Sequence, residues 1–294
     1  MTQRGSGQKQ TNLAIVLLTA GSVAYAAASL LMRMAGTAYI GTFSKAFIRN
    51  LVILLSAAIT MHGQKIKPVI RRENYLWMLS RAVFGTASAL CGYYAIDHLM
   101  LADATMLSLL GPMFTVTFSA VLLKEHTSLK QKLLLAVAVF GMLLVVKPTW
   151  NFSLLFPMLM GIAAAVSYGY TFTAVRLMQM KGEEGSVLVF WYAVLSTIFM
   201  LPFLWGDIFV FAWDCLLMVI FSGLISSVTQ LFNTKAYGMA PARTLSVYEY
   251  TQLPAAAALG WLILGEKPSV LSWIGYFVIV TASILMFRFN EKSC

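Results

Sequence analysis

Charged side chains are scarce in this sequence, at 11% of 294 residues, where a soluble domain carries about 25%. With 60% of its residues hydrophobic, the chain has too few polar groups to cover a globule in water. Cysteine is just as thin. Cys91, Cys215 and Cys294 lie far apart, and Cys91 sits inside an apolar run, which excludes a disulfide framework and a cysteine metal site. His62, His98 and His126 are dispersed near the ends of apolar runs, so no metal trio and no cofactor is expected. The sequence also lacks a phosphate-cradling Gly-Lys-Ser/Thr loop, a Gly-x-Ser-x-Gly elbow and a His-Glu-x-x-His pair. These absences speak against an enzyme and against an ATP-driven pump within this chain. Any work it does across a membrane must draw on a gradient of solute or ion.

What the sequence has is long apolar runs of the length needed to cross a hydrocarbon core, roughly 20 residues for about 30 Å. The pattern predicts an all-α integral membrane protein. Candidate helices fall at about 12–32, 39–61, 74–95, 99–123 and 129–146 in the first half, and at 152–178, 186–205, 212–236, 242–264 and 270–288 in the second. The first run, although preceded by Arg4 and Lys9 and containing Ala26, Ala27 and Ala28, reads as an uncleaved helix because many spans follow it.

The formal charge of +10 does not form the clustered basic, aromatic face that nucleic acid requires. Its basic residues sit mainly in connectors. With Lys45, Arg49 and Arg81 set aside as lying within spans, fifteen of the 21 Lys and Arg residues fall at the two termini and the connectors on the same side, and three fall on the other. That asymmetry predicts both termini in the cytoplasm. With no organelle address recognised in the sequence, the expected location is the plasma (inner) membrane.

An internal echo divides the spans into two sets of five. Leu122 to Ser128, reading Leu-Leu-Lys-Glu-His-Thr-Ser, returns as Ile-Leu-Gly-Glu-Lys-Pro-Ser at Ile263 to Ser269, and the upstream Thr105 and Pro112 return as Thr244 and Pro254. Because five is odd, the second copy enters the membrane upside down, which predicts ten transmembrane helices as two inverted five-helix repeats, 12–146 and 152–288, with a site between them near mid-membrane.

Several segments resemble the drug/metabolite transporter superfamily, in its EamA-type branch. In the first half these are Tyr93-Tyr94-Ala95-Ile96, Leu101-Ala102-Asp103-Ala104-Thr105, Pro112-Met113-Phe114-Thr115 and Leu122-Leu123-Lys124-Glu125. In the second they are Ala236-Tyr237, Ala240-Pro241-Ala242-Arg243, Tyr248-Glu249-Tyr250, Leu264-Gly265-Glu266 and Ile274-Gly275. Lys124 stands where the family pattern has glycine. The resemblance implies a ten-helix carrier of metabolites such as amino acids, nucleotide sugars, nucleosides or drugs, often working as an exporter or exchanger.

An ionised group at mid-membrane costs at least ~2.5 kcal/mol on insertion scales, so each one needs a partner, a wet cavity or a task. Lys45 and Arg49 share a face of the second helix, with Arg49 about 14 Å deep at 1.5 Å per residue. A guanidinium there suits a carboxylate or phosphate, and an internal ion pair is the competing role. Arg81 and Glu249 each lie roughly 10 Å from the cytoplasmic end by the same rise. An Arg81–Glu249 bridge is expected to gate the inner side, and a Lys45–Asp103 bridge the outer. Glu249, flanked by Tyr248 and Tyr250 with Gln252 nearby, is the candidate for carrying a coupling proton. Asp103 is expected to cap its helix, and Glu125 and Glu266 to be boundary residues. Tyr25, Tyr94, Tyr168, Trp191, Tyr192 and Tyr248 are candidates to line the cavity.

The function these residues predict is secondary transport of a small organic metabolite, an amino acid or related solute with an anionic group, since Arg49, Arg81 and Lys45 outnumber Glu249. Expected partners are that solute, membrane lipid and a coupling proton or counter-solute, without nucleic acid. The alternatives are uptake of a nucleoside-like or cationic metabolite or multidrug export through the tyrosines and Glu249, and, in a different class, a membrane-embedded enzyme or a lipid scramblase.

Overall fold

The computed structural model describes residues 2–36, 39–123, 133–134, 136–137, 140, 152–207, 209–210, 212–240, 245, 248–267 and 269–292. The fifth candidate helix lies almost wholly outside the described residues, as do Glu125, His126 and Cys294. Among the described residues the fold is helical, with one isolated bridge between Ile40 and Phe209. The elements are α1 (Thr2–Met34), α2 (Thr42–Gln64), α3 (Tyr75–His98), α4 (Leu101–Ser108), α5 (Gly111–Leu122), α6 (Phe152–Met180), α7 (Gly185–Met200), α8 (Trp213–Met239), α9 (Gln252–Leu264) and α10 (Val270–Lys292). Six stretches are long and apolar enough to cross a membrane: Gln10–Met34, Thr42–Gln64, Leu101–Leu122, Leu154–Met180, Gly185–Leu204 and Trp213–Met239.

The expected fourth helix, 99–123, is α4 and α5 joined by a tight turn. Pro112 has no N–H to give the carbonyl four residues back, and the chain responds at Leu109–Leu110 with a short turn in which Leu110 N bonds Leu107 O at 3.2 Å and Met113 N bonds Leu110 O at 3.0 Å. The expected ninth helix, 242–264, is interrupted in the same way just before Pro254. Regular helix starts at Gln252, after a turn in which Thr251 N bonds Tyr248 O at 3.3 Å.

Polarity runs opposite to that of a soluble protein. Leu55, Ile59, Leu76, Val121, Leu262, Val270 and Phe277 are exposed on the outside, whereas Lys45, Arg49, Arg81, Asn50, Thr173, Ser222, Ser226 and Glu249 are buried. The packing also crosses between the two halves of the chain. Helix α1 lies most extensively against α8, and α3 against α6, while α2 sits between α7 and α8 and α4 meets α9. Close approach depends on small residues. At Gly169 a Cβ would stand 2.7 Å from the backbone carbonyl carbon of Phe114 and 2.7 Å from the amide nitrogen of Thr115.

Candidate functional site

A cavity of about 100 Å³ opens among α1, α2, α3, α6, α7, α8 and the segment leading into α9. Its position follows from where each element carries polar side chains within an apolar run: Ser22 and Tyr25 on α1, Arg49 on α2, Arg81, Ser88 and Tyr93 on α3, Tyr168 and Thr171 on α6, Tyr192 on α7, Ser226, Thr229, Gln230 and Asn233 on α8, and Glu249 and Gln252 beyond. Ser108 and Leu109 bring the broken turn of α4 to the same space.

Both arginines are held by one bond and one ring. Arg49 Nε donates to Ser226 Oγ at 3.0 Å, and its guanidinium carbon lies 5.2 Å from the centre of the Tyr93 ring. Arg81 Nη1 donates to Leu188 O at 2.9 Å, with its guanidinium carbon 4.7 Å from the centre of the Tyr192 ring. Gly85 makes room for that ring, since a Cβ there would meet Tyr192 Cε2 at 2.6 Å. Cation–π contact of this kind is worth about 2 kcal/mol when desolvated, which is less than the cost of burying the charge. Among the described residues the ion pairs are Arg33–Glu266 and Lys45–Asp97; neither cavity arginine has a carboxylate partner.

Across the cavity, Glu249 accepts from Tyr168 Oη at 3.1 Å and, on its other oxygen, from Tyr237 Oη. The expected Arg81–Glu249 bridge is therefore not made, because two phenols take the carboxylate and Leu188 takes the guanidinium. Lys45 also corrects its expected partner. Its Nζ lies 2.5 Å from Asp97 Oδ1 and 3.2 Å from Met32 O, away from the cavity, and Asp97 Oδ2 accepts from Thr42 Oγ1 at 2.5 Å. Asp97 closes the last turn of α3, within reach of the first turn of α2, whereas Asp103 lies beyond the α3–α4 junction. At the start of α4, Glu266 Oε2 accepts from Leu101 N at 2.6 Å, and Asp103 lies in that helix's first turn.

Of the expected cavity residues, Arg49, Arg81, Tyr25, Tyr168, Tyr192 and Glu249 line it. Tyr94 instead stacks on His98 at 4.1 Å between ring centres. Trp191 donates from Nε1 to Pro68 O at 3.1 Å near the protein surface, and Tyr248 packs with Phe172 and Tyr237 in a hydrophobic cluster. Tyr93, Thr171, Ser226 and Asn233 are cavity residues that sequence reasoning missed. A hydroxyl or an amide inside an apolar run costs so little compared with a charge that nothing in the periodicity marks it, and only the arginine and glutamate they accompany could have pointed there.

With the geometry in view, the comparisons with known proteins converge. The EamA-like transporter family matches the chain twice, over residues 12–147 and 155–288. The pseudopaline exporter CntI of Pseudomonas aeruginosa is 31% identical over 223 residues, spanning 74% of this chain and 77% of that protein. A riboflavin transporter of Brucella anthropi is 23% identical over 280 residues, spanning 92% and 97%. A solved protein crystal structure has the same fold, with a TM-score of 0.63 at 17% identity over 98% of this chain and 99% of that one. The chain belongs to the EamA-like transporter family of the drug/metabolite transporter superfamily, and is a multi-pass membrane protein of transport.

Proposed function

We propose that the chain is a secondary carrier that moves a small organic metabolite bearing at least one anionic group, an amino acid or a related solute, by alternating access. The observation that carries this reading is the pair of buried guanidinium groups, Arg49 and Arg81, facing one cavity without a carboxylate partner. Such a pair is stabilised by an anion that arrives with the solute. A cavity of about 100 Å³ falls short of the ~300–1,000 Å³ typical of ligand pockets. Binding a metabolite therefore requires its walls to part, as alternating access demands. Export or exchange is the direction favoured by the similarity to an exporter.

Two relationships support the architecture of two inverted five-helix repeats, 12–146 and 152–288. The family matches begin 143 residues apart, and at that spacing Tyr25 corresponds to Tyr168, Arg33 to Arg176 and Asp97 to Ala240. Arg33 Nη1 donates to the carbonyl of Asp97 at the end of α3, and Arg176 Nη1 donates to the carbonyl of Ala240 at the end of α8, at 3.2 Å. Exchanging the halves turns the α1–α8 contact into the α6–α3 contact, and both are extensive. The basic connectors favour an inner-membrane orientation with both termini in the cytoplasm. Glu249, gripped by two phenols, is the candidate for the coupling proton.

The test is thermal stability of the purified protein against a metabolite panel, repeated with Arg49→Ala, since a solute stabilises the state it binds. Anionic metabolites should stabilise the parent and leave the variant unmoved. If aromatic cations stabilise both equally, the anionic assignment is wrong and recognition passes to Glu249 and the tyrosines.

A further inference from the structure

The hydrogen-bond inventory of the cavity walls carries the solute's chemistry further. Arg81 spends Nη1 on Leu188 O, and its buried Nε has no partner. Its side edge, Nε with Nη2, is thus left without an acceptor, and a ligand reaches it once the cavity walls part. Arg49 spends Nε on Ser226 Oγ, which leaves its two terminal nitrogens as an open end edge. Each edge presents two parallel N–H groups, the shape that a carboxylate fills. The two arginines stand on α2 and α3 and line the same cavity, so it holds two separate places for a carboxylate.

The opposite wall has acceptors. Thr171 Oγ1 and Asn233 Oδ1 are buried, line the cavity and make no hydrogen bond. Both lie on helix faces that carry a phenol bound to Glu249, with Asn233 Oδ1 standing against Gly21 of α1. Thr171 is three residues beyond Tyr168 on α6, Asn233 is four residues before Tyr237 on α8, and Tyr168 and Tyr237 are the two phenols that hold the Glu249 carboxylate. A carboxylate oxygen that accepts one phenol keeps a second lone pair. Glu249, Thr171 and Asn233 together offer three acceptors, the number that an ammonium group donates to.

We propose that the cavity takes an amino-dicarboxylic solute of net charge −1, with one carboxylate on Arg49, the other on Arg81, and the ammonium on Glu249, Thr171 and Asn233. Charge agrees with geometry, since two guanidinium groups and one carboxylate leave the walls one positive charge in excess. This assignment rests on the reading that the solute bears an anionic group, and refines it.

Three compounds on one carbon skeleton test it: glutamate, with two carboxylates and an amine; glutarate, with two carboxylates alone; and glutamine, with one carboxylate and an amine. Binding to the purified full-length protein is read by thermal shift and titration at neutral pH. Glutamate should bind at least tenfold more tightly than either analogue. Arg81→Gln or Arg49→Gln should erase its advantage over glutamine, and Glu249→Gln its advantage over glutarate. Should these variants fail to fold, the three-compound ranking on the parent decides alone. Glutarate equal to glutamate overturns the ammonium site, and glutamine equal to glutamate overturns the second carboxylate site; in both cases the anionic reading stands. If none of the three binds in preference to an aromatic cation, the anionic reading falls as well.

Discussion

Lys45 Nζ sits 2.5 Å from Asp97 Oδ1, and both side chains are almost completely buried, at 0% and 2% exposure. The pair joins the first turn of α2 to the last turn of α3 at one end of the bundle. The same end carries Arg33 bound to the α3 terminus, Asp207 Oδ2 accepting from Ser44 N at 2.6 Å, and Val210 N bound to Tyr39 O at 2.6 Å. At the 143-residue spacing of the two family matches, the positions that correspond to Lys45 and Asp97 hold Leu188 and Ala240, which form no such pair.

Removing one member of that pair leaves a buried charge alone, which costs ~3–5 kcal/mol, whereas replacing both with apolar groups is close to neutral. Lys45→Met should therefore lower the unfolding midpoint sharply, and Lys45→Met with Asp97→Leu should recover most of it. Thermal unfolding of the parent, Lys45→Met, Asp97→Leu and the double variant in detergent measures this, and a double variant no better than the single ones would refute it. The double variant should also label more readily at a cysteine placed at Ser108 with a reagent added from the Lys45 side.

The phenols of Tyr168 and Tyr237 donate to different oxygens of Glu249. A hydrogen bond to a charged group contributes about 1.5–3 kcal/mol. Tyr237→Phe, whose site is almost fully buried, should cost stability in that range, and Tyr168→Phe less, because its hydroxyl faces the cavity and water can replace it. Solute affinity should fall in both, by five- to tenfold. Titration of each variant with its best-binding metabolite checks the order.

Coupling of transport to protons predicts that Glu249→Gln flattens the pH profile of uptake into proteoliposomes while binding of the solute is still detectable. A full parental pH dependence in that variant would remove Glu249 from the proton path.

Glycine at 169 faces backbone and glycine at 85 faces a side chain. Gly169→Ala should destabilise by ~1–3 kcal/mol, since a main chain cannot rotate aside. Gly85→Ala should fold nearly normally but displace the ring under Arg81, so its defect should be in binding. Comparing unfolding midpoints with solute titration for the two variants separates these effects.

The membrane class and six of the apolar spans were legible because apolar length is a one-dimensional property. The charged members of the site were legible for the same reason: Arg49, Arg81 and Glu249 stand out in runs where charge is costly. Partners were not legible, because they depend on how each helix is rotated and how far it slides. Lys45 was expected to meet Asp103, and only the packing of α2 against the end of α3 shows its partner to be Asp97. Pro112 and Pro254 were visible as markers of a repeat, but their effect on the helices was not, since tolerance of proline in a membrane helix depends on which neighbours satisfy the freed carbonyls.

Two guanidinium groups lining one cavity have an electrical consequence. A proton or sodium ion drifting into the cavity meets like charges, each worth about 4 kcal/mol at 4 Å in surroundings of intermediate dielectric. The barrier resembles the one that a lone arginine sets against cations in a water pore. It is lowest when a negatively charged passenger sits on the arginines. If the solute is anionic, as proposed, tightness to small cations and occupancy are linked through Arg49 and Arg81, which would let a membrane hold many copies of the carrier without draining its ion gradients.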